Sequence, residues 1–521
     1  MSDPERGGDA DLLSTMDGPD GPRRWLKVLD QTKCIGCHAC TTACKSENDV
    51  PLSVTRTFVK SVDVGRFPEA RRAFQVTRCN QCADAPCVAA CPTAAMHTRP
   101  DGIVDFDKDL CIGCKACMAA CPYDAIFINP DDHAAEKCNM CAHRLDIGLE
   151  PACVTVCPTQ AIIVGDAEDP ESEAARIVAR QPVSVRRPEK GTRPQVFYRG
   201  ATQSTLDPLG ADRPAGDTYA WSEIPRQPGE YASGHPGASN SSAAALLSYD
   251  VAHGVPWDWR VALYTWTKSI AAGAYLTALL LALLGRLSWT GVVFGWVVPV
   301  LAAVALAATV VILIWDLEHP ERFYYVLTKP QWRSWLVRGG VIITLYAAVL
   351  AVHLLGSLLG SAGLRQAVAV AGGPVAVATA VYTAYLFAQA TARDMWQNPL
   401  LPPHLLVQAM VAGAAALLPI AAWWTGGPVV ALAWVLAVAA AVHVLLVFGE
   451  ITLAHPSAHA RLAMHEMLTG RWRAYFWAGL PLVAVGVAAP LAGAWVAIPA
   501  LLGLLAHEHA YVQAGQSVPL A

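Results

Sequence analysis

The sequence predicts two architectures in one chain: an N-terminal α+β module and a C-terminal all-α eight-helix transmembrane bundle. Three observations predict this. All 16 cysteines lie before residue 158, in four tight runs. Every long apolar run lies after residue 260. Between them, residues 167–256 are rich in Pro, Gly, Ser and charge. At 521 residues the chain has room for more than one domain. Its hydrophobic fraction of 54 % is high for a soluble protein. A net charge of −4 gives no basic footprint for nucleic acid, so no nucleic-acid partner is expected.

Residues 1–24 form an acidic Gly/Pro/Asp-rich tail, expected to be disordered. Arg23-Arg24 invites a twin-arginine reading, which requires an apolar stretch next. The next residues are Trp25-Leu26-Lys27-Val28-Leu29-Asp30, too short a run for that and leading straight into Cys34. No cleaved signal is expected, and residues 25–30 read as a first strand.

The cysteine module spans 25–166. Cys34, Cys37, Cys40 and Cys44 are spaced C-x2-C-x2-C-x3-C. Cys79, Cys82, Cys87 and Cys91 come next as C-x2-C-x4-C-x3-C-P. Cys111, Cys114, Cys117 and Cys121 repeat the first spacing, and Cys138, Cys141, Cys153 and Cys157 read C-x2-C-x11-C-x3-C-P. Thiolates this closely spaced can wrap iron–sulfur cubes, and the proline after Cys91, Cys121 and Cys157 is that of bacterial ferredoxin runs. Cys44 is followed by Lys45 instead. A disulfide scaffold would need an oxidising compartment and usually a short chain. Zinc favours separated C-x-x-C pairs without the further cysteines seen here. Cys34-Ile-Gly-Cys37-His38 matches a c-type haem attachment pattern, but attachment would remove two members of a complete set of four. Cys34-Ile-Gly-Cys37 recurs as Cys111-Ile-Gly-Cys114, an internal repeat expected to fold as a tandem ferredoxin-like domain.

With these runs, and with Lys137-Cys138-Asn-Met-Cys141-Ala-His-Arg-Leu-Asp-Ile-Gly-Leu-Glu-Pro-Ala-Cys153, the module resembles the four-cluster electron-transfer subunits of the DMSO reductase/polysulfide reductase family. The resemblance implies four [4Fe–4S] clusters, with the first run paired to the fourth and the second to the third. One set would be Cys34, Cys37, Cys40 and Cys157, and another Cys138, Cys141, Cys153 and Cys44. A third would be Cys79, Cys82, Cys87 and Cys121, and the last Cys111, Cys114, Cys117 and Cys91.

Residues 167–256 read as an extended linker, stiffened by prolines around Pro188–Tyr198 and longer than a tether needs. Residues 257–515 form the membrane domain. Eight apolar runs are long enough to span a bilayer: 261–285, 291–315, 335–359, 366–391, 404–424, 428–450, 475–492 and 495–513. An even count puts both termini on one side. Loops on that side carry Arg322, Lys329, Arg333, Arg338, Arg393, Arg461, Arg471 and Arg473; those opposite carry only Arg286 and Arg365. By the positive-inside rule this is a multi-pass protein of the plasma (inner) membrane with its cysteine domain in the cytoplasm. Trp266-Thr-Lys-Ser-Ile-Ala-Ala-Gly-Ala274, Asp316-Leu-Glu-His-Pro-Glu-Arg-Phe323, Ser334-Trp-Leu336 and Tyr382-Thr383 make this half similar to the NrfD-type quinone-binding subunit of polysulfide reductase.

Ionisable groups inside a bilayer are costly and are functional candidates. Lys268, Tyr382, Asp316, Gln389, His404, Gln408 and Glu450 lie toward the expected cytoplasmic side and are the candidates for holding a quinone (menaquinone or ubiquinone) headgroup. Arg338, Arg393 and the late His507/His509 pair read as helix caps or interface anchors. Haem b would need two histidines at matched depth; His353 and His443 lie at different depths. No molybdenum-cofactor signature or nucleotide-binding glycine loop is recognisable, so the resemblance implies a separate molybdopterin-containing catalytic subunit. The expected role is electron transfer and membrane anchoring, with sulfite or other sulfur-compound oxidation favoured. S/N-oxide or polysulfide reduction and a hydrogenase-associated role are the alternatives.

Overall fold

A computed structural model describes residues 23–65, 68–212 and 245–521. The expected tail, except Arg23 and Arg24, and residues 213–244 of the expected linker lie outside them. The chain forms two compact units: one closes at Gly254 and takes in Pro519–Ala521, the other is Val255–Val518.

The first unit is built on strands β1 (Trp25–Asp30), β2 (Thr57–Val64), β3 (Arg71–Arg78), β4 (Met96–Thr98), β5 (Val104–Phe106), β6 (Ile126–Ile128), β7 (Ala135–Lys137), β8 (Ile162–Asp166), β9 (Val183–Ser184), β10 (Val196–Arg199) and β11 (Ala245–Tyr249). One sheet runs β8-β1-β10-β9 and another β11-β2-β3; β4-β5 and β6-β7 are hairpins. β1 pairs antiparallel with β8 and parallel with β10. Successive side chains of a strand face opposite ways. Leu26 and Val28 pack with Ala174 and Ile177 of the helix Glu173–Arg180. Lys27 and Leu29 point the other way, among the cysteines.

The expectation that 167–256 is an extended linker is corrected here. Its described parts supply the helix Glu173–Arg180, β9, β10 and β11, which complete both larger sheets. The stretch Val-Phe-Tyr198 is extended, as its prolines suggest, but extended backbone needs partners for its N–H and C=O groups, and β1 offers them.

The sequence repeat is also a backbone repeat. Gly36 and Gly113 have φ +70° and +68°, and His38 and Lys115 have φ +58° and +60°. The left-handed turns let each loop double back before the helices Ala39–Glu47 and Ala116–Ala120. A side chain at Gly36 would also collide with the Phe74 ring.

His253, near the end of this unit, sits between two carboxylates, Asp124 at 2.7 Å and Asp250 at 3.0 Å. Burial pushes its pKa down; Asp250 and Asp124 outweigh this and raise it to about 9. The charged ring therefore stabilises the fold fully below about pH 6.5, and that stability is lost as pH rises through about 9. Chemical unfolding of the solubilised chain, followed by visible absorbance, is expected to lose up to roughly 3 kcal/mol of stability between pH 6.5 and 9.5, and His253→Gln to flatten that slope.

In the second unit seven helices are long and apolar enough to cross a membrane: Trp259–Leu283, Val293–Trp315, Trp335–Leu358, Ala362–Gln389, Leu401–Thr425, Val429–Thr452 and Arg473–Gln516. The expected count of eight is not met in that form, because the last two runs are one stretch. It bends through 3-10 turns at Val485–Ala488 and Gly493–Val496, where Gly493 has φ +69°. It then folds back on itself, so that Gly479 lies against Gly503. Val304, Val311, Leu345, Leu445 and Leu502 face outward, as lipid-facing side chains do. The first helix is enclosed by the second, fourth, fifth and last. Gly273 meets Gly413 backbone to backbone there, an approach that small residues permit.

Candidate metal centres and membrane pocket

The sixteen cysteines converge into four groups, and none is in a disulfide. Cys34, Cys37, Cys40 and Cys157 line one cavity with Gly36 and Ile162. Cys91, Cys111, Cys114 and Cys117 line a second. Burial pushes the Cys44 thiol up to about 12, and neighbouring Cys138, Cys153 and Cys141 add to it. Burial likewise raises Cys82 to about 12, with Cys79 and Cys121 beside it, and raises Cys87, next to Cys79, Cys121 and Cys82. Helical x3 spacing accounts for the exchange between runs: Cys44, Cys91, Cys121 and Cys157 come just after Cys40, Cys87, Cys117 and Cys153, each across a short helix.

The donor chemistry fits cationic metal clusters. Buried thiols crowded together resist ionising one by one, and bound metal supplies the charge that lets them. Backbone N–H groups point at the sulfurs: Ala161 at Cys157 (3.2 Å), Met96 at Cys91 (3.4 Å), and Gly113 and Ala135 at Cys111 (both 3.4 Å). One sulfur differs. Arg78 Nη1 donates to Cys153 Sγ at 3.2 Å and Lys27 Nζ does so at 3.8 Å. Burial pushes this thiol up, but Lys27 and Arg78 more than reverse it, to about 7. Arg78 is fully buried, and nothing in its run of sequence flags it.

In the membrane unit the candidates separate. Lys268 is fully buried and donates to Ala380 O and Thr383 Oγ1, both at 2.8 Å. Its Nζ lies 4.9 Å from the centre of the Tyr382 ring, so these two residues meet. Asp316 ends the second helix and pairs with Arg260 at 3.3 Å. Gln389 accepts from Trp335 N at 2.9 Å and donates to Arg333 O at 3.0 Å, capping the third helix. Arg393 donates to Gln516 O at the end of the last helix and to Val518 O just past it. Arg338 lies over Trp335.

His404, Gln408 and Glu450 are buried within the bundle. A pocket is lined by Thr265, Phe387, His404, Gln408, His507 and Glu508, among others; Lys268 and Tyr382 are not in its wall. Thr265, one turn before Lys268, donates to Glu508 Oε2 at 2.7 Å. Gln408 Oε1 and Glu508 Oε1 are buried without a partner. His507 and Glu508 are pocket residues left off the sequence-derived candidates: the histidine reads as a helix cap or interface anchor, yet both are buried in the bundle.

Fold and site together define an iron–sulfur electron-transfer protein joined to a membrane domain. The 4Fe-4S dicluster domain family matches residues 26–92 and again 71–167, and the family described as polysulphide reductase, NrfD, matches 249–507. The B subunit of tetrathionate reductase from Salmonella typhimurium is 42 % identical over 206 residues, 39 % of this protein and 81 % of the relative. The B polypeptide of polysulfide reductase from Wolinella succinogenes is 43 % identical over 189 residues, 35 % of this protein and 99 % of the relative. The arsenate respiratory reductase iron-sulfur subunit of a Shewanella species is 35 % identical over 219 residues, 33 % of this protein and 94 % of the relative. This protein belongs to the same family of iron–sulfur subunits, carried in one polypeptide with an NrfD-type membrane domain.

Proposed function

We propose that this chain is the electron-transfer and membrane-anchor subunit of a molybdopterin oxidoreductase complex, exchanging electrons between a cytoplasmic catalytic subunit and membrane quinone. The observation that carries the reading is the gathering of sixteen cysteines into four groups of four, in one chain with a membrane unit that buries a polar pocket. When bound, [4Fe–4S] clusters supply one-electron steps. The protein's part is to hold them by the four ligand sets that the family resemblance implies and to bind the quinone. Quinone chemistry needs a donor to each carbonyl oxygen and a proton source near it. Lys268 and Gln408 can donate, and Glu508 can pass protons. An ammonium has three donors and Lys268 uses two on the protein, which leaves one for a ligand.

Oxidation of sulfite or another sulfur compound into the quinone pool suits a cytoplasmic catalytic face. The relatives' names, tetrathionate and polysulfide reductase, favour a second reading in which quinol supplies electrons to a sulfur compound. Affinity purification of the chain, with mass spectrometry, tests the assembly: a molybdopterin-containing large subunit is expected in stoichiometric amount. A hydrogenase subunit in its place would overturn the reading.

Two further results are expected. Anaerobically purified chain should hold about 16 iron and 16 acid-labile sulfide, four per cluster; a value near 8 would mean that half the sets hold none. A reporter fused after Ala521 should be active on the cytoplasmic side, following the eight-to-two arginine and lysine bias. Activity confined to the outer side would reverse the topology and with it the cytoplasmic partner.

A further inference from the structure

His404, His443 and His507 come from three different helices, and one nitrogen of each lies within 4.8 Å of those of the other two. All three side chains are buried. From the geometry we infer that they form a three-histidine site for a divalent transition-metal ion, of which zinc is the best match.

Glu450 Oε1 lies 3.0 Å from His404 Nδ1 and accepts a hydrogen bond from its N–H, which fixes the tautomer. His404 Nε2 is then a bare lone pair facing inward. This carboxylate–histidine contact is the outer-sphere arrangement that orients imidazole ligands on metals. Asn398 Nδ2 holds the same Glu450 oxygen at 3.1 Å. His443 Nδ1 lies 2.9 Å from His404 Nε2. His443 Nε2 and both nitrogens of His507 are buried with no hydrogen-bond partner. Three orphaned imidazole nitrogens in one spot are unusual, because buried polar groups are nearly always satisfied. A metal ion satisfies one lone pair on each ring at once.

Distance and charge also fit. Tetrahedral zinc with Zn–N bonds of about 2.0–2.1 Å places its ligand nitrogens about 3.3 Å apart, so rotation of the rings by roughly an ångström closes the site. A bare divalent cation in a bilayer is prohibitive unless it is compensated. Glu450 lies against His404, and Glu508 follows His507 in the chain and shares the pocket with both rings. The two carboxylates offset the two charges. Three histidines leave a fourth position open, and His404 and His507 also line the pocket, so a water or ligand oxygen could reach it. The inference is independent of the quinone reading, because metal content is measured without turnover.

The test is elemental analysis of the full-length chain purified in detergent from zinc-replete cells, with zinc-edge X-ray absorption on the same sample. About one zinc per chain is expected, with nitrogen neighbours at about 2.0–2.1 Å and no sulfur shell. His443→Ala and His507→Ala should each drop zinc at least tenfold while cluster iron and gel-filtration profile stay as in the parent. Less than a tenth of a zinc per chain in the unaltered protein overturns the site and leaves the histidines a hydrogen-bonded proton path. Zinc retained in both variants, or bound through sulfur, overturns it equally, since the metal would then sit on cysteines.

Discussion

Lys268→Met and Tyr382→Phe are expected to slow electron exchange between the chain and a quinol analogue, by about 10- to 100-fold for the lysine and less for the tyrosine, on the scale of one charge-assisted hydrogen bond. Lys268 is a cation within the membrane domain, with no exposure at all. Such a group costs a few kcal/mol on insertion scales unless its surroundings offset it. Here Ala380 O, Thr383 Oγ1 and the face of Tyr382 do part of that. Methionine keeps the length and removes the charge-assisted hydrogen bond, which is worth about 1.5–3 kcal/mol. Phenylalanine keeps the ring under the ammonium and removes only the phenol oxygen. Stopped-flow bleaching of the cluster absorbance by quinol measures both, and reduction by a soluble dye is the control that should not change. Unchanged quinol kinetics in both variants, at full cluster content, would move the site to the pocket around Gln408 and Glu508 and leave Lys268 a structural cation.

Arg78→Gln is expected to lower the midpoint potential of one cluster by about 65–130 mV, the loss of a charge-assisted hydrogen bond of about 1.5–3 kcal/mol for a one-electron couple. The reduced form of a cluster is the more negative one, so a buried cation on a ligand sulfur favours reduction. Arg78 donates to Cys153 Sγ, and Lys27 approaches the same sulfur from β1. A potentiometric EPR titration should show one signal moved and the others in place. The affected signal should be the one that Cys44→Ser also perturbs, since Cys44 shares its surroundings with Cys138, Cys141 and Cys153. A shift spread evenly over all signals would mean that Arg78 acts through the fold rather than through Cys153.

The features legible in the sequence were local ones. Each cysteine run carries its ligand geometry in its spacing, because x2 loops and x3 helices bring thiols together within a short stretch. The repeat of Cys34-Ile-Gly-Cys37 at Cys111 is matched by the same left-handed turns, since glycine and the residue after the second cysteine must adopt them. The apolar runs marked the membrane helices for an equally local reason: a bilayer demands about twenty apolar residues in a row. The break within Arg473–Gln516 was legible from Gly493 between the runs 475–492 and 495–513, but not that short 3-10 turns would carry the helical stretch around the bend there.

Residue order alone was enough for the cysteine runs, the family, the order of the two units and the buried lysine of the first membrane helix. Packing in three dimensions was needed to show that the stretch after residue 166 completes the β1 sheet, that Arg78 reaches Cys153, and that His404, His443 and His507 meet. The reason is physical. A strand edge, a cation on a distant sulfur and a histidine cluster are each made of residues far apart in the chain, and their spacing along it encodes nothing about the distance that packing leaves between them.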